Sequence, residues 1–184
     1  MAELATRRLP LAGRQGGAAS VRLTPAAPAS RISLRAPAES VSALSSALRL
    51  DLPTRPKTSG HAGSRSALWL GPDEWLVIDD SGEDLMALVA SASASALHAA
   101  TDVSHRNAAI IVSGPGAEVT LAGGCPQDLS LDAFPVGACS RTLFGKVEVV
   151  ILRIDTETFR VECWRSFAPY AFGLLAEAAG DAAL

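Results

Sequence analysis

Leu68-Trp69-Leu70-Gly71-Pro72-Asp73-Glu74-Trp75-Leu76-Val77-Ile78 is the stretch from which the fold can be read. Two apolar runs rich in Trp, Leu, Val and Ile flank a Gly-Pro-Asp-Glu turn, the signature of a tight strand–turn–strand unit. Neither run alternates apolar with polar residues. A half-exposed strand alternates, whereas one covered on both faces reads as a continuous apolar run. The hairpin is therefore expected to be covered on both sides.

Working towards the N-terminus, Arg31-Ile32-Ser33-Leu34-Arg35 alternates as a half-buried strand does. Val41, Leu44 and Leu48 recur at helical spacing and predict a helix over residues 39–49. Residues 51–65 read as a polar loop carrying Arg55, Lys57, His61 and Arg65. A loop of that length usually has a function or faces a partner. Residues 1–28 show no sustained period and are broken by Pro10, Gly13, Gly16, Gly17, Pro25 and Pro28. Their Arg, Ala and Ser content has something of a transit peptide, but they read more simply as a flexible basic arm, with residues 29–184 as a single domain.

Working towards the C-terminus, Ser81 is placed to cap a helix with Asp84 as its reciprocal partner. Leu85, Leu88, Val89, Ala92 and Ala96 would form the inner face of that helix. Strands follow at residues 101–104 and 108–112. Gly114-Pro115-Gly116 opens a short helix, with Pro115 in its first turn, and Gly123-Gly124 ends it. Residues 125–138 form an irregular crossing, followed by strands at 141–144, 147–154 and 158–164. Ser166 is placed to cap a last helix whose Phe167, Tyr170, Ala171, Leu174, Leu175 and Ala178 lie on one stripe. The order β-α-β-β-α-β, then β-α-β-β-β-α, predicts an α+β protein made of two tandem ferredoxin-like units.

The bulk properties narrow the function. The 184 residues are 48% hydrophobic, enough for a core without disulfide staples. No run is long and apolar enough to span a membrane or to form a secretory signal. In residues 1–30, Arg7, Arg8, Arg14 and Arg22 stand against Glu3 alone, which leaves residues 31–184 at −6 within an overall −3. An acidic body argues against nucleic acid as partner, since phosphate contacts need clustered Lys and Arg. Cys125, Cys139 and Cys163 are odd in number and widely spaced. That excludes a disulfide framework and fits a cytoplasmic protein.

No complete catalytic set emerges from the residues. Gly114-Pro115-Gly116-Ala117-Glu118-Val119 sits where a dinucleotide fingerprint would, but the third glycine is missing and Glu118 would repel a pyrophosphate. Asp102-Val103-Ser104-His105-Arg106 collects polar groups near a strand end. No nucleophile elbow is present, and neighbours in a strand point to opposite faces, so Ser104 and His105 do not make a triad. His61, His98 and His105 show no metal-ligand spacing, and His98 suits a helix end. Trp69, Trp75 and Trp164 lie in apolar runs and read as core. Arg106, Arg141 and Arg165 flank strand ends, where an interfacial ion pair is the simplest use.

Six segments in order carry a resemblance: Leu70-Gly71-Pro72-Asp73-Glu74-Trp75-Leu76, Asp102-Val103-Ser104-His105-Arg106, Gly114-Pro115-Gly116-Ala117, Gly124-Cys125-Pro126-Gln127-Asp128-Leu129, Phe134-Pro135-Val136-Gly137 with Arg141-Thr142, and Arg165-Ser166-Phe167-Ala168-Pro169-Tyr170. From Leu68 to Ala178 the chain resembles the gamma subunits of bacterial heterotetrameric sarcosine oxidase. The resemblance implies a non-catalytic accessory subunit with alpha, beta and delta partners. It places FAD, FMN and NAD on alpha and beta, zinc on delta, and no cofactor on this chain. The complex would oxidatively demethylate sarcosine to glycine, forming hydrogen peroxide and, with tetrahydrofolate, methylenetetrahydrofolate. The arm 1–28 and the loop 51–65 would be docking segments, with Arg55, Lys57, His105, Arg106, Arg141 and Arg165 as candidate interface or structural residues.

The chain is also distantly similar to the folate-binding domain of the glycine-cleavage aminomethyltransferase. That family has a DVSH strand followed by a V-x-G turn into a helix, and Asp102 matches its catalytic aspartate. It also has a GG-x-LDD-type segment, where this chain runs Phe144-Gly145-Lys146-Val147-Glu148-Val149. The departure implies an incomplete folate pocket. The rival reading is a folate-dependent one-carbon transferase, or a folate-binding module, using Asp102.

Overall fold

The structure is a computed structural model, and it describes residues 9–92 and 96–182. Among the described residues, eleven strands form two antiparallel sheets. The larger has the order β1-β2-β8-β11-β10-β9 and the smaller β4-β5-β6-β3-β7. The strands are β1 (Gly16–Ala18), β2 (Val21–Pro25), β3 (Ser30–Arg35), β4 (Ser59–Ala62), β5 (Arg65–Gly71), β6 (Glu74–Asp79), β7 (Ala99–Asp102), β8 (Asn107–Ser113), β9 (Cys139–Phe144), β10 (Val147–Asp155) and β11 (Thr158–Trp164). The helices are α1 (Val41–Leu48), α2 (Leu85–Ala90), α3 (Ala117–Ala122) and α4 (Ala168–Asp181).

The apolar runs explain how the layers stack. Along β6, Trp75 and Val77 pack with Leu44, Leu48, Leu85 and Val89 of α1 and α2. Leu76 and Ile78, pointing the other way, pack against Val150 and Leu152 of β10. The same alternation on β10 sends Val149 and Ile151 into a third core with Leu121 of α3 and Phe172 and Leu175 of α4. The layers therefore run helices, sheet, sheet, helices, and the central strands are covered on both faces, as their continuous apolar character requires.

The α+β class and the hairpin at 68–78 hold. The first unit, β3-α1-β5-β6-α2-β7, has the strand order β5-β6-β3-β7 of a ferredoxin-like sheet. The second is ordered β8-β11-β10-β9, because a hairpin makes β10 and β11 neighbours and α4 follows the last strand.

Several local expectations are corrected. Within the segment read as a flexible arm, β1 and β2 are strands of the larger sheet. β2 pairs with β8 in the register Arg22↔Ser113 to Pro25↔Ile110, and Leu11, Val21 and Leu23 are buried. The buried Val21 and Leu23 alternate with exposed Arg22 and Thr24, and this strand signal is swamped by the Pro and Gly around it. The loop 51–65 contains β4, which pairs with β5. Asp84, not Ser81, caps α2 by accepting the Ala87 N–H at 3.1 Å. The Ser81 hydroxyl and amide both donate to Asp79. No side chain caps α4, whose N-cap is Phe167 rather than Ser166. Its buried stripe is Ala168, Ala171, Phe172, Leu175 and Ala179, leaving Phe167 and Tyr170 exposed. Pro115 lies ahead of α3, outside its first turn, since Gly116 is the N-cap. Of the three tryptophans only Trp75 is fully buried, and Trp164 is exposed. His98 lies beyond the end of α2, with Nδ1 2.8 Å from the Ala96 carbonyl.

Candidate functional site

The polar DVSHR stretch is the turn that carries the chain from β7 in the smaller sheet to β8 in the larger. Asp102 is exposed at the end of β7, and its Oδ1 accepts the Ser104 N–H at 2.8 Å, closing the turn. The Ser104 hydroxyl oxygen accepts the Arg31 N–H at 2.8 Å and so ties the turn to β3. Ser104 thus serves the backbone, while His105 is exposed beside it. Asp102 opens onto a depression of about 310 Å³ shared with Asp84, the α2 cap. Arg31 also lines it, but its buried guanidinium is already paired with Glu162 at 2.8 Å.

Arg106 follows, and its guanidinium lies over the Trp164 ring, 4.9 Å from the centroid. The Arg106 carbonyl accepts the Arg165 N–H at 2.6 Å, so the turn and the end of β11 form one corner. Beside this corner a cleft of about 390 Å³ is lined by Leu11, Arg14, Pro25, Arg31, His105 and Arg165, among others.

The corner therefore gathers His105, Arg106 and Arg165. Arg141 lies further along the larger sheet, where it pairs with Glu74 of the β5–β6 hairpin at 2.7 Å, and Glu74 also pairs with Arg35 at 2.8 Å. Arg55 and Lys57 are not brought to the corner. Lys57 is exposed, and its carbonyl accepts the Cys139 N–H at 3.1 Å. Cys139 opposes Leu152, and Leu152 opposes Arg160, whereas Trp164 lies at the other end of β11.

The sequence reading missed a buried charge network. Glu162 of β11 accepts from Arg31 of β3 at 2.8 Å through one oxygen and from Arg160 at 2.8 Å through the other. Arg160 continues to both oxygens of Asp80 at 3.0 Å. All but Asp80 are buried, so the network bonds the two sheets where apolar packing stops. Arg160 and Glu162 alternate with Phe159, Val161 and Cys163, so two charges on one face of an apolar strand were the available signal. Burial alone would lower the Arg160 pKa, but Glu162 and Asp80 outweigh it and hold the guanidinium above its ordinary value. Burial pushes the Cys163 thiol up to about 12, helped by Glu162. Burial likewise carries Cys139 to about 12. All three cysteines are free, and neither Cys139 nor Cys163 is a nucleophile at neutral pH.

The strand-to-helix turn at residues 114–116 does not fit a dinucleotide. Gly114 has φ +115°, and a Cβ there would meet the Ser20 carbonyl at 2.4 Å. The Gly116 N–H, which a pyrophosphate would need, donates to that same carbonyl at 3.1 Å. The glycines admit the β1–β2 turn, not a phosphate. Among the described residues, no group of three or more His, Cys, Asp or Glu could hold a metal ion.

Residues 34–181 match the family model described as "Sarcosine oxidase, gamma subunit family". The chain belongs to the sarcosine oxidase gamma subunit family. Among curated gamma subunits, that of Corynebacterium sp. (strain P-1) is 29% identical over 167 residues, spanning 89% of this chain and 82% of its own. The gamma subunit of an Arthrobacter species is 32% identical over 120 residues, spanning 65% and 59%. A chain of the heterotetrameric sarcosine oxidase from Corynebacterium sp. U-96, solved with pyrrole 2-carboxylate, superposes with a TM-score of 0.88 at 25% identity over 97% of each chain. The fold also matches the glycine-cleavage aminomethyltransferase T of Bartonella henselae, with a TM-score of 0.66 at 15% identity over 85% of this chain and 45% of that one.

Proposed function

We propose that this chain is a non-catalytic accessory subunit of a sarcosine oxidase complex, working in the cytoplasm beside alpha, beta and delta subunits. The complex oxidatively demethylates sarcosine to glycine, with hydrogen peroxide as co-product and the one-carbon unit passed to tetrahydrofolate. FAD, FMN and NAD belong to the alpha and beta subunits in this reading, and zinc to delta.

One observation carries it: the superposition on a chain of a heterotetrameric sarcosine oxidase runs end to end, covering 97% of both chains. The chemistry of the turn supports the same reading. Asp102 closes a turn, Ser104 binds backbone, and the glycines at 114 and 116 accommodate another turn of the chain. Among the described residues no helix is long and apolar enough to cross a membrane.

The test is to tag the chain in its native host, purify it gently, and record visible absorption, native mass and sarcosine-dependent peroxide formation. A yellow, active complex holding three further chains is expected. A colourless monomer would refute the reading.

The fold shared with aminomethyltransferase T favours one rival, a folate-binding module using Asp102. Titrating the isolated chain with tetrahydrofolate in a calorimeter separates the two. The accessory reading expects no heat of binding, whereas binding lost in Asp102→Asn would establish the rival.

A further inference from the structure

We propose that the open end of the crevice between the two sheets binds a small zwitterionic amino acid, its carboxylate held by Arg106 and Trp164 and its ammonium by Glu148. Strand pairing brings these groups together. Trp164 of β11 opposes Asn107 of β8. On its other side, Glu148 of β10 lies one step beyond the Val149↔Cys163 pair and so opposes Trp164. Trp164 shares a face with Glu162, and Glu148 with Val150. That face meets the smaller sheet, where Glu162 accepts from Arg31 and Val150 packs with Leu76. Arg106, the residue before β8, lays its guanidinium over the Trp164 ring at 4.9 Å. Phe167 stacks on the same indole, their centroids 6.1 Å apart, so the ring is held in place before any ligand arrives.

The charges that line this crevice divide into matched and unmatched. Glu74 pairs with Arg35 and Arg141, and Glu162 pairs with Arg31 and Arg160. Arg106 and Glu148 line it as well. Among the described residues neither forms an ion pair, with the other or with any third group, and the Arg106 Nε reaches only the Asn107 side-chain oxygen at 3.5 Å. The Trp164 indole N–H has no acceptor among them either. One cation, one anion and one N–H donor are therefore left over at one place. An anion bound to Arg106 would have the Glu148 carboxylate for a neighbour, and a cation bound to Glu148 would have Arg106. A zwitterion satisfies both through charge-assisted hydrogen bonds, the stronger kind. Size narrows the choice. The crevice holds about 50 Å³, and one water needs about 10–15 Å³ of such space, so the room is that of a few waters or of an amino acid with little or no side chain. Leu70, Leu76 and Val150 give it an apolar floor for the carbon. Glycine and sarcosine, the amino acids of the reaction proposed above, belong to this class, but the site stands on its own groups and not on that reaction.

The test is a saturation-transfer NMR titration of the tagged full-length chain with glycine, comparing wild type with Arg106→Gln, Glu148→Gln and Trp164→Phe. Acetate, methylamine and leucine serve as comparison ligands, and circular dichroism checks that each variant is folded. Wild type is expected to bind glycine saturably. Arg106→Gln and Glu148→Gln should each weaken binding about tenfold, the loss of one charge-assisted hydrogen bond, and Trp164→Phe, which keeps a ring and loses the N–H, should weaken it less. Acetate and methylamine, each carrying half of the zwitterion, and leucine, which is too large, should not saturate over the same range. The substitutions lie on this chain alone, so the difference between wild type and variant reports this site even where co-purifying chains bind glycine themselves. Equal glycine affinity in wild type and both charge variants would overturn the site. Acetate binding as tightly as glycine would also overturn it, by showing a simple anion site. Glycine binding that is lost in the variants of a chain recovered without any flavoprotein would keep the site and sink the accessory reading instead.

Discussion

Glu162 is a single carboxylate between two guanidinium groups in a nearly dry interior, so its substitution has a predictable sign. Replacing a buried ionic group by well-packed apolar residues can be neutral, but removing one partner strands the others. In Glu162→Gln, Arg31 and Arg160 would keep their charges, with Asp80 left as the remaining carboxylate in the network. The expected loss is about 3–5 kcal/mol, a large share of the stability of an ordinary domain, and urea unfolding monitored by tryptophan fluorescence measures it. Asp79 gives the matching prediction for pH. Burial would raise its carboxyl, but hydrogen bonds from Ser81, Arg65 and Ser64 outweigh that and hold it below the ordinary range. Unfolded, it titrates near about 3.9. Between its folded value and that one, the unfolded chain binds more protons than the folded chain. The stability Asp79 adds is therefore full above the ordinary carboxylate range and lost as pH falls through the lower, folded value. Asp79→Asn should lower stability at neutral pH and flatten the acid limb of the stability–pH curve.

Elements are where composition misleads. The hairpin at 68–78 was legible because two continuous apolar runs flank a turn, and the strand at 31–35 because its period of two coincides with a real face. β2 obeys the same rule over Val21–Pro25 but sits among prolines and glycines, so its period is short and its setting reads as disorder. β4 has almost no pattern to read, since Ser59, Gly60, His61 and Ala62 bury little and the strand exists because β5 offers an edge. The candidate site divides similarly. The DVSHR turn is visible as a cluster of polar residues, but its meeting with Trp164 and Arg165 depends on pairing of β8 with β11, which no local signal announces. The correction of the arm carries a prediction. Deleting residues 1–28 removes Leu11, Val21 and Leu23 from the core and uncovers the edge of β8. Each buried side chain is worth about 1.5–3 kcal/mol, so the truncated chain should lose at least about 4.5 kcal/mol and a bare apolar strand edge should drive aggregation. Circular dichroism and light scattering decide it. A truncated chain that stays monomeric and melts like the full chain would show that β1 and β2 merely decorate the sheet.

At the scale of the whole molecule the question is what a fold shared with a folate enzyme does when it serves as an accessory subunit. A fold hosts chemistry only through the groups placed in its site. Here Asp102, which the resemblance to the aminomethyltransferase singles out, spends a hydrogen bond on its own turn, accepting the Ser104 N–H at 2.8 Å. Asparagine retains that acceptor oxygen and removes only the charge, so Asp102→Asn separates a carboxylate used for chemistry from one used for shape. In the assembled oxidase the accessory reading expects Asp102→Asn to leave both sarcosine-dependent peroxide formation and methylenetetrahydrofolate yield at wild-type values. Asp102→Ala, which loses the acceptor, should instead weaken the turn, by about 0.5–1.5 kcal/mol for one lost hydrogen bond, and lower the thermal midpoint of the chain without a selective effect on folate turnover. A loss of methylenetetrahydrofolate in Asp102→Asn with peroxide formation intact would mean the carboxylate still performs one-carbon chemistry. The subunit would then have to be counted among the catalytic ones.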